Sequence, residues 1–558
     1  MRKPRKIEPL QSSWDSEVRL LAWLATCASV ISFLFYAQRN QVLLYGDAIA
    51  HINIARRVFD SKTPGLLQLG TVWLPLPHLL MIPFLISNEM WRRGAGGSIP
   101  SMVAYVFGVI GIFRLTRSAL GCGNQPDTPA RVAPWIAALV YAANPNLIYM
   151  QSTAMGEVLY LAFFIWSLVY LTEFVRGEGT VLTKCALCLA AACLTRYDGW
   201  FLSAALVAFV LLRFLLSSDS GQSQPDPQLR ARAVKFILIA AAAPALWLAY
   251  NGIVYRNPLE FENGPYSAKA IEHKSQAASN PGHPGSGNPV LAGMYFVKAA
   301  EDNMAANQWL QRAWLLLSLL AAAVLIFARR QQAAATSQAA PLCCLLFLLL
   351  PIPFYALSIA YSGVPIFVPN WWPFTHYNVR YGLQLLPALS VAVALLVYGV
   401  LHSTVGNPRV QLATIPAILV FSAASYVSAW QATPICLAEA QINMRSRNQL
   451  QMELARWLER LPPDSILLVY LGDQVGALER AGIPLKRTIN EGNHRVWKQP
   501  VDPEGLWERA LAHPSQYADY VVAFEGDPVW QAVHDLHLPA LVELHVTGQP
   551  HAILYRAR

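Results

Sequence analysis

Through the first 435 residues, apolar stretches of about twenty positions alternate with short polar segments, and a run of that length crosses the hydrocarbon core of a bilayer as one helix. About eleven such runs stand out: 18–38, 99–115, 132–148, 157–175, 183–198, 200–216, 234–254, 309–328, 340–361, 380–401 and 410–430. The run 72–86 is shorter and carries Pro75, Pro77 and Pro83, so it predicts a re-entrant or surface helix. After residue 436 the pattern changes. Ser465 to Gly472 predicts a buried strand followed by a helical stretch at 473–481, and Ala518 to Phe524 a second strand followed by a helix from Pro528 to Leu536. The runs 540–546 and 550–556 predict a closing hairpin. The expected fold is therefore a polytopic α-helical membrane domain, 1–435, followed by a small soluble α/β domain, 436–558.

Composition supports that division. Only 13% of the 558 residues are charged and 55% are hydrophobic, against roughly 25% charged in soluble domains. The 17 tryptophans suit long membrane–water boundaries. A net charge of +9 would fit a nucleic-acid binder, but the basic residues flank apolar runs, which favours membrane orientation and lipid headgroups and predicts no nucleic-acid partner. Six of the eight cysteines lie inside apolar runs, where cysteine behaves as a small hydrophobe. Cys185-Ala-Leu-Cys188 has metal-knuckle spacing but no second pair. The basic start, Met1 to Lys6, resembles a signal peptide, yet no small-residue cleavage site follows, so the first run reads as a retained span.

The charges also predict orientation. A cytoplasmic N-terminus places Arg2, Lys3, Arg5, Lys6, Arg114, Arg117, Arg131, Arg176, Lys184, Arg213, Arg230 to Lys235, Arg329, Arg330 and Arg409 inside, as the positive-inside rule requires. Segments 39–98, 149–156, 255–308, 362–379 and everything after 431 then fall outside. Arg56, Arg57, Arg92 and Arg93 in the first outer loop run against the rule, though long translocated loops tolerate charge.

Polar groups near membrane depth are costly and hence informative. Asp47 and His51 are one turn apart on a predicted helix; a carboxylate there either caps the helix or activates an acceptor, alone or helped by His51. Glu157 opens a long apolar run after Asn144-Pro145, a place where the helix dipole alone would favour an acid. Arg196 and Asp198 interrupt two consecutive runs and could simply pair with each other. The loop containing Tyr266 continues through the Gly- and Pro-rich stretch 280–287 and suits a lid over 262–290. Arg380 and Tyr381 enter a late span from an aromatic cluster, where arginine can grip a phosphate with two parallel bonds. Under the topology read from charge, all these positions share one outer face.

An aspartate in the first outer loop, an acidic residue after Asn-Pro in the second, and Arg-Tyr entering a late span resemble the GT-C glycosyltransferases over roughly residues 18–400. That superfamily includes protein mannosyltransferases, the aminoarabinose transferase of lipid A and the oligosaccharyltransferase catalytic subunit. The resemblance implies Asp47 as catalytic carboxylate, Glu157 as the second acidic position and Arg380 as the cation for a lipid phosphate. Two departures stand out. Asp47 is followed by alanine where the mannosyltransferases and the aminoarabinose transferase have Asp-Glu, and the C-terminal region has no Trp-Trp-Asp motif, which argues against en bloc transfer of a glycan to peptide.

The expected function is inverting transfer of a sugar from a polyprenyl-phosphate donor to a protein, lipid or glycan acceptor on the extracytoplasmic face of a plasma or inner membrane. Asp47 and Glu157 would be catalytic, and His51, Arg196, Asp198, Tyr266, Arg380 and Tyr381 would bind substrate. A divalent cation, magnesium or manganese, held by Asp47 with His51 or Glu157 is compatible with these ligand types. The alternative is a transporter or lipid flippase, but such folds commonly show internal repeats and broken helices at mid-membrane, and this sequence shows neither.

Overall fold

The computed structural model describes residues 16–121, 128–218, 227–270, 272, 282–332, 339–403, 408–494, 496–497 and 501–558. Arg2, Lys3, Arg5 and Lys6, and positions 273–281 of the predicted lid, lie outside them. The chain is a polytopic α-helical membrane protein with a small C-terminal sheet region. Among the described residues, eight helices are long and apolar enough to cross a membrane: Ser16–Gln38, Ala95–Leu120, Glu157–Val175, Asp198–Leu215, Pro227–Tyr255, Pro341–Tyr361, Val379–Leu401 and Ala413–Leu458. Leu76–Leu85, Arg131–Ala142 and Gly179–Cys193 are shorter apolar helices. All eleven runs marked in the sequence fall on helical backbone, and the proline-rich run 72–86 yields only the ten-residue helix Leu76–Leu85.

Burial sorts the helices. Glu157–Val175, Ala95–Leu120 and Val379–Leu401 form the inside of the bundle, while Ser16–Gln38, Pro227–Tyr255 and Ala413–Leu458 keep most of their apolar surface outward. Glycine permits the closest approaches. A Cβ at Gly97 would meet the side chains of Ile52 and Ala154, and one at Gly382 would meet the backbone of Ala299 at 2.4 Å. The second contact lets Pro289–Met304 lie against the segment that carries Arg380.

Four of the basic positions predicted to share one side, Arg114, Arg131, Lys184 and Arg213, gather at one end of the bundle. Arg114 pairs with Glu173 (2.6 Å) and Arg131 with Glu17 (3.1 Å), while Arg213 lies over Phe174 and Lys184 over Tyr170. Glu157 begins the helix that ends near Glu173, about 24 Å away at 1.5 Å per residue.

The C-terminal region opens with the helix Ile435–Leu458, which follows the helix Pro408–Gln431 after a short turn containing the left-handed Thr433 (φ 68°). Five strands follow: β1 (Leu467–Val469), β2 (Thr488–Ile489), β3 (Tyr520–Phe524), β4 (Ala540–Leu544) and β5 (Ala552–Arg556). They form one sheet in the order β2-β1-β3-β5-β4, with β1 parallel to β2 and β3, and β5 antiparallel to β3 and β4. The expected strand–helix pairs and closing hairpin are present. β2 and the helix Leu506–Ala512 are additions that short, weakly patterned sequence did not reveal.

Alternation along the strands divides the sheet's two faces. Leu467, Val469, Val522, Phe524 and Leu554 join the hydrophobic core that runs through the helix bundle. Leu468, Val521 and Ala523 face the other way, onto Trp507, Val529 and Val533. With both faces covered, the sheet is anchored to the membrane domain. It also grips the segment that carries Asp47: Asn53 donates to Glu479 (2.9 Å), the Lys486 N–H donates to Asp60 (3.1 Å), and Gln68 donates to the Gly492 carbonyl (2.7 Å).

Candidate active site

Residue types at four separate helix ends build a single polar cluster. Asp47 is the second residue of the helix Gly46–Arg57. The N-cap is Tyr45, which makes no side-chain capping bond, so the Asp47 carboxylate is free to face inward from the first turn. Glu157 begins Glu157–Val175 and is fully buried. It is placed there by the Asn144-Pro-Asn146 segment. The Asn144 side chain caps the short helix Pro145–Met150 through the N–H groups of Asn146 and Leu147, and both asparagine amides donate to the Asn303 carbonyl. Arg196 and Asp198 sit in the tight junction between Leu182–Cys193 and Asp198–Ser218. Arg380 follows Asn378, whose left-handed backbone (φ 55°) turns the chain into the 3₁₀ segment Val379–Leu385.

The Arg380 guanidinium is the hub. Its Nη2 donates to Asp47 Oδ2 (2.7 Å), its Nε to Glu157 Oε1 (3.0 Å) and its Nη1 to Glu439 Oε1 (2.6 Å). Arg196 forms a second hub, donating to the same Glu157 Oε1 (3.1 Å), to Asp198 Oδ2 (3.4 Å) and to the Tyr355 hydroxyl (3.0 Å), which itself donates to Asp198 (2.7 Å). Both guanidiniums lie near the Tyr381 ring, 4.9 Å for Arg196 and 5.1 Å for Arg380. Glu157 Oε2 is buried and accepts no hydrogen bond from the described residues.

Asp47, Glu157, Arg196, Asp198, Tyr355, Arg380 and Tyr381 line a cavity of about 210 Å³ together with His51, Trp73 and Pro77, and Glu439 stands behind it. His51 is one turn beyond Asp47, and its Nδ1 lies 2.8 Å from Nε2 of the buried His78. Burial holds the His51 imidazole below its ordinary value, so the ring is neutral near pH 7. Of the eight residues singled out in the sequence, seven meet here: Asp47, His51, Glu157, Arg196, Asp198, Arg380 and Tyr381. Tyr266 does not. It is exposed, and its hydroxyl is 3.4 Å from that of Tyr470 in the C-terminal region. The short helix Glu260–Asn263 and the turn at Gly264 carry its loop toward the sheet.

The largest omission from the sequence reading is Glu439, which lies just past the expected domain boundary. Its Oε1 accepts from Arg380 Nη1 and from the Asn378 N–H (3.0 Å), and its Oε2 from the Arg380 N–H (3.3 Å). The available signal was a lone acid among Leu437, Ala438 and Ala440, next to an apolar run. Tyr355 and His78 were also missed, because each stands inside an apolar stretch where an aromatic ring is unremarkable. As for a divalent cation, Asp47 and Glu157 both direct an oxygen at the Arg380 guanidinium, and the His51 ring faces His78.

No family profile and no curated protein matches the sequence. The structure is nevertheless similar to solved structures over nearly its whole length. ArnT from Cupriavidus metallidurans in the apo state matches with a TM-score of 0.53 at 13% identity, covering 95% of this chain and 98% of that one. The same protein bound to undecaprenyl phosphate matches with a TM-score of 0.51, at the same identity and coverage. The Archaeoglobus fulgidus oligosaccharyltransferase tethered with an acceptor peptide matches more loosely, with a TM-score of 0.47 at 13% identity over 92% of this chain and 70% of that one. On the likeness to ArnT, this chain shares the fold of that protein over nearly its whole length.

Proposed function

We propose that the protein is a membrane glycosyltransferase that moves a sugar from a polyprenyl-phosphate donor to an acceptor on the extracytoplasmic face. The observation that carries this reading is the convergence of Asp47, Glu157, Arg196 and Arg380 on one cavity at the end of the bundle opposite the basic loops. A flippase or transporter needs a polar path through the membrane, whereas these polar groups stay at one end. The binding of undecaprenyl phosphate by a protein of the same fold supports a lipid-phosphate donor.

The chemistry follows from the charges. The donor phosphate meets Arg380 and Arg196, whose guanidiniums match phosphate oxygens in pairs. As phosphate takes Arg380 Nη2, the Asp47 carboxylate is released from its 2.7 Å contact and becomes available as a base. An acceptor O–H or N–H then attacks the anomeric carbon, and its proton passes to Asp47. The bond from that carbon to the phosphate oxygen breaks with its electron pair, the anomeric configuration inverts, and the two arginines stabilise the extra charge on the departing polyprenyl phosphate. Glu157 Oε2, buried and without a partner among the described residues, would accept a hydroxyl of the sugar. Neutral His51 shapes the wall beside Asp47.

The test is transfer from a panel of polyprenyl-phosphate sugars by purified protein in detergent. Sugar should appear on an acceptor with inverted configuration. Arg380→Ala should raise the donor KM. Absence of transfer from every donor, together with donor translocation across vesicles, would replace this reading with a flippase.

A further inference from the structure

The C-terminal hairpin carries a group of ligand-type side chains that the cavity does not use. β4 and β5 place Glu543 opposite Ile553 and Leu544 opposite Ala552, so the next positions outward are His545 and His551. Side chains repeat every second residue along a strand, which puts Glu543, His545 and His551 on one face. Their geometry agrees. The two imidazole rings stack with centroids 3.8 Å apart at an interplanar angle of 14°, and Glu543 Oε2 is 3.7 Å from His551 Nε2. One ligand atom from each of the three residues lies within 4.8 Å of the other two. His551 Nε2 is shielded from solvent yet has no hydrogen-bond partner among the described residues.

We propose that Glu543, His545 and His551 form a binding site for a divalent transition-metal ion, zinc above others. Two imidazoles and a carboxylate match the ligands zinc takes in tetrahedral sites with an open fourth position. Zinc bonds of about 2.0–2.2 Å put neighbouring ligand atoms about 3.3–3.6 Å apart, so binding requires the ligand atoms to draw together and the two stacked rings to turn out of their parallel arrangement until each lone pair points at the ion. Magnesium and calcium prefer all-oxygen shells and are not favoured here.

The site would act as a clip. β4 is the sheet's edge strand, and β5 is its one hydrogen-bonded strand neighbour among the described residues. The turn between the two strands reaches back to the helix Ile435–Leu458, where Gln549 donates to Ser446 (3.0 Å), and Gln474 donates to Gln549 (3.3 Å). Ser446 lies about two turns beyond Glu439 on that helix. An ion joining the strands just before this turn stiffens the edge of the sheet and its contact with the helix that anchors Arg380. This role is independent of the transfer reaction.

The experiment uses the full chain, purified without a polyhistidine tag, stripped with chelator and titrated with zinc against a chromophoric competitor at pH 7.5. One equivalent should bind with micromolar or tighter affinity, and the melting temperature should rise with added zinc, because an ion that binds only the folded hairpin stabilises it by mass action. The double change His545→Ala, His551→Ala should weaken that equivalent at least tenfold and abolish the rise, and Glu543→Gln should weaken it less. Equal zinc affinity in wild type and double variant, or no bound equivalent at about 100 μM zinc, overturns the proposal. Should the double variant melt lower than wild type without metal, the single change His545→Asn at the exposed position makes the same comparison.

Discussion

Glu439 holds Arg380 from two sides, taking its side-chain Nη1 on one carboxylate oxygen and its backbone N–H on the other. Asp47 and Glu157 touch the same guanidinium but reach only the side chain. Glu439 is therefore the anchor, and the two cavity acids are the contacts that substrate can displace.

Removing the anchor leaves a buried guanidinium and two backbone donors short of an acceptor. Breaking a buried pair from one side costs about 3–5 kcal/mol. Glu439→Ala should melt well below wild type in detergent, and Glu439→Gln, which retains an acceptor, should fall between them. The donor KM should rise in the same order. Wild-type melting in Glu439→Ala would show that Asp47 and Glu157 suffice to hold Arg380.

Asp47 behaves oppositely. Its carboxylate is 42% exposed, so Asp47→Asn should leave the melting temperature close to wild type. Transfer should fall by about 10²–10⁴-fold if this carboxylate takes the acceptor's proton. Undiminished turnover in the variant ends the mechanism, whatever the fold does.

Glu479, which joins the sheet region to the Asp47 helix through Asn53, should make that contact pH-dependent. Burial pushes Glu479 up to about 8, only partly offset by the Asn53 hydrogen bond and by Arg480. A carboxyl raised in the folded state stabilises below its unfolded value near 4.5, and that stability is lost as pH rises through about 8. Wild-type melting should therefore decline between pH 5 and 8 more steeply than that of Glu479→Gln. Parallel profiles would show that Glu479 is ionised in the folded protein.

The proposed orientation puts residues 431–558 outside. A reporter that works only extracytoplasmically, fused after Arg558, should be active, and one fused in the 176–184 loop should be silent. The reverse pattern would move the cavity to the cytoplasmic face and remove the basis for an extracytoplasmic acceptor.

The helices were legible in the sequence because a bilayer imposes a length and a polarity that no local packing can override. The same constraint exposed Asp47, Glu157, Arg196 and Arg380, since a charged group at the edge of an apolar run is conspicuous. The short continuous apolar runs within 465–472 and 518–524 revealed the strands, because a strand covered on both faces is apolar throughout its length. What remained hidden depends on contacts between distant residues. Glu439 stood beyond the last apolar run and looked like part of a soluble domain, until helix Ile435–Leu458 continued the bundle and turned it onto Arg380 across 59 positions of chain. Tyr266 had the right loop and the wrong direction, because turn geometry sent it to Tyr470. Hydrophobic periodicity thus determined which segments enter the membrane and which charges stand at its edge. Only the packing of helix ends decided that three carboxylates share one arginine, because that pairing depends on ångström distances that no one-dimensional pattern contains.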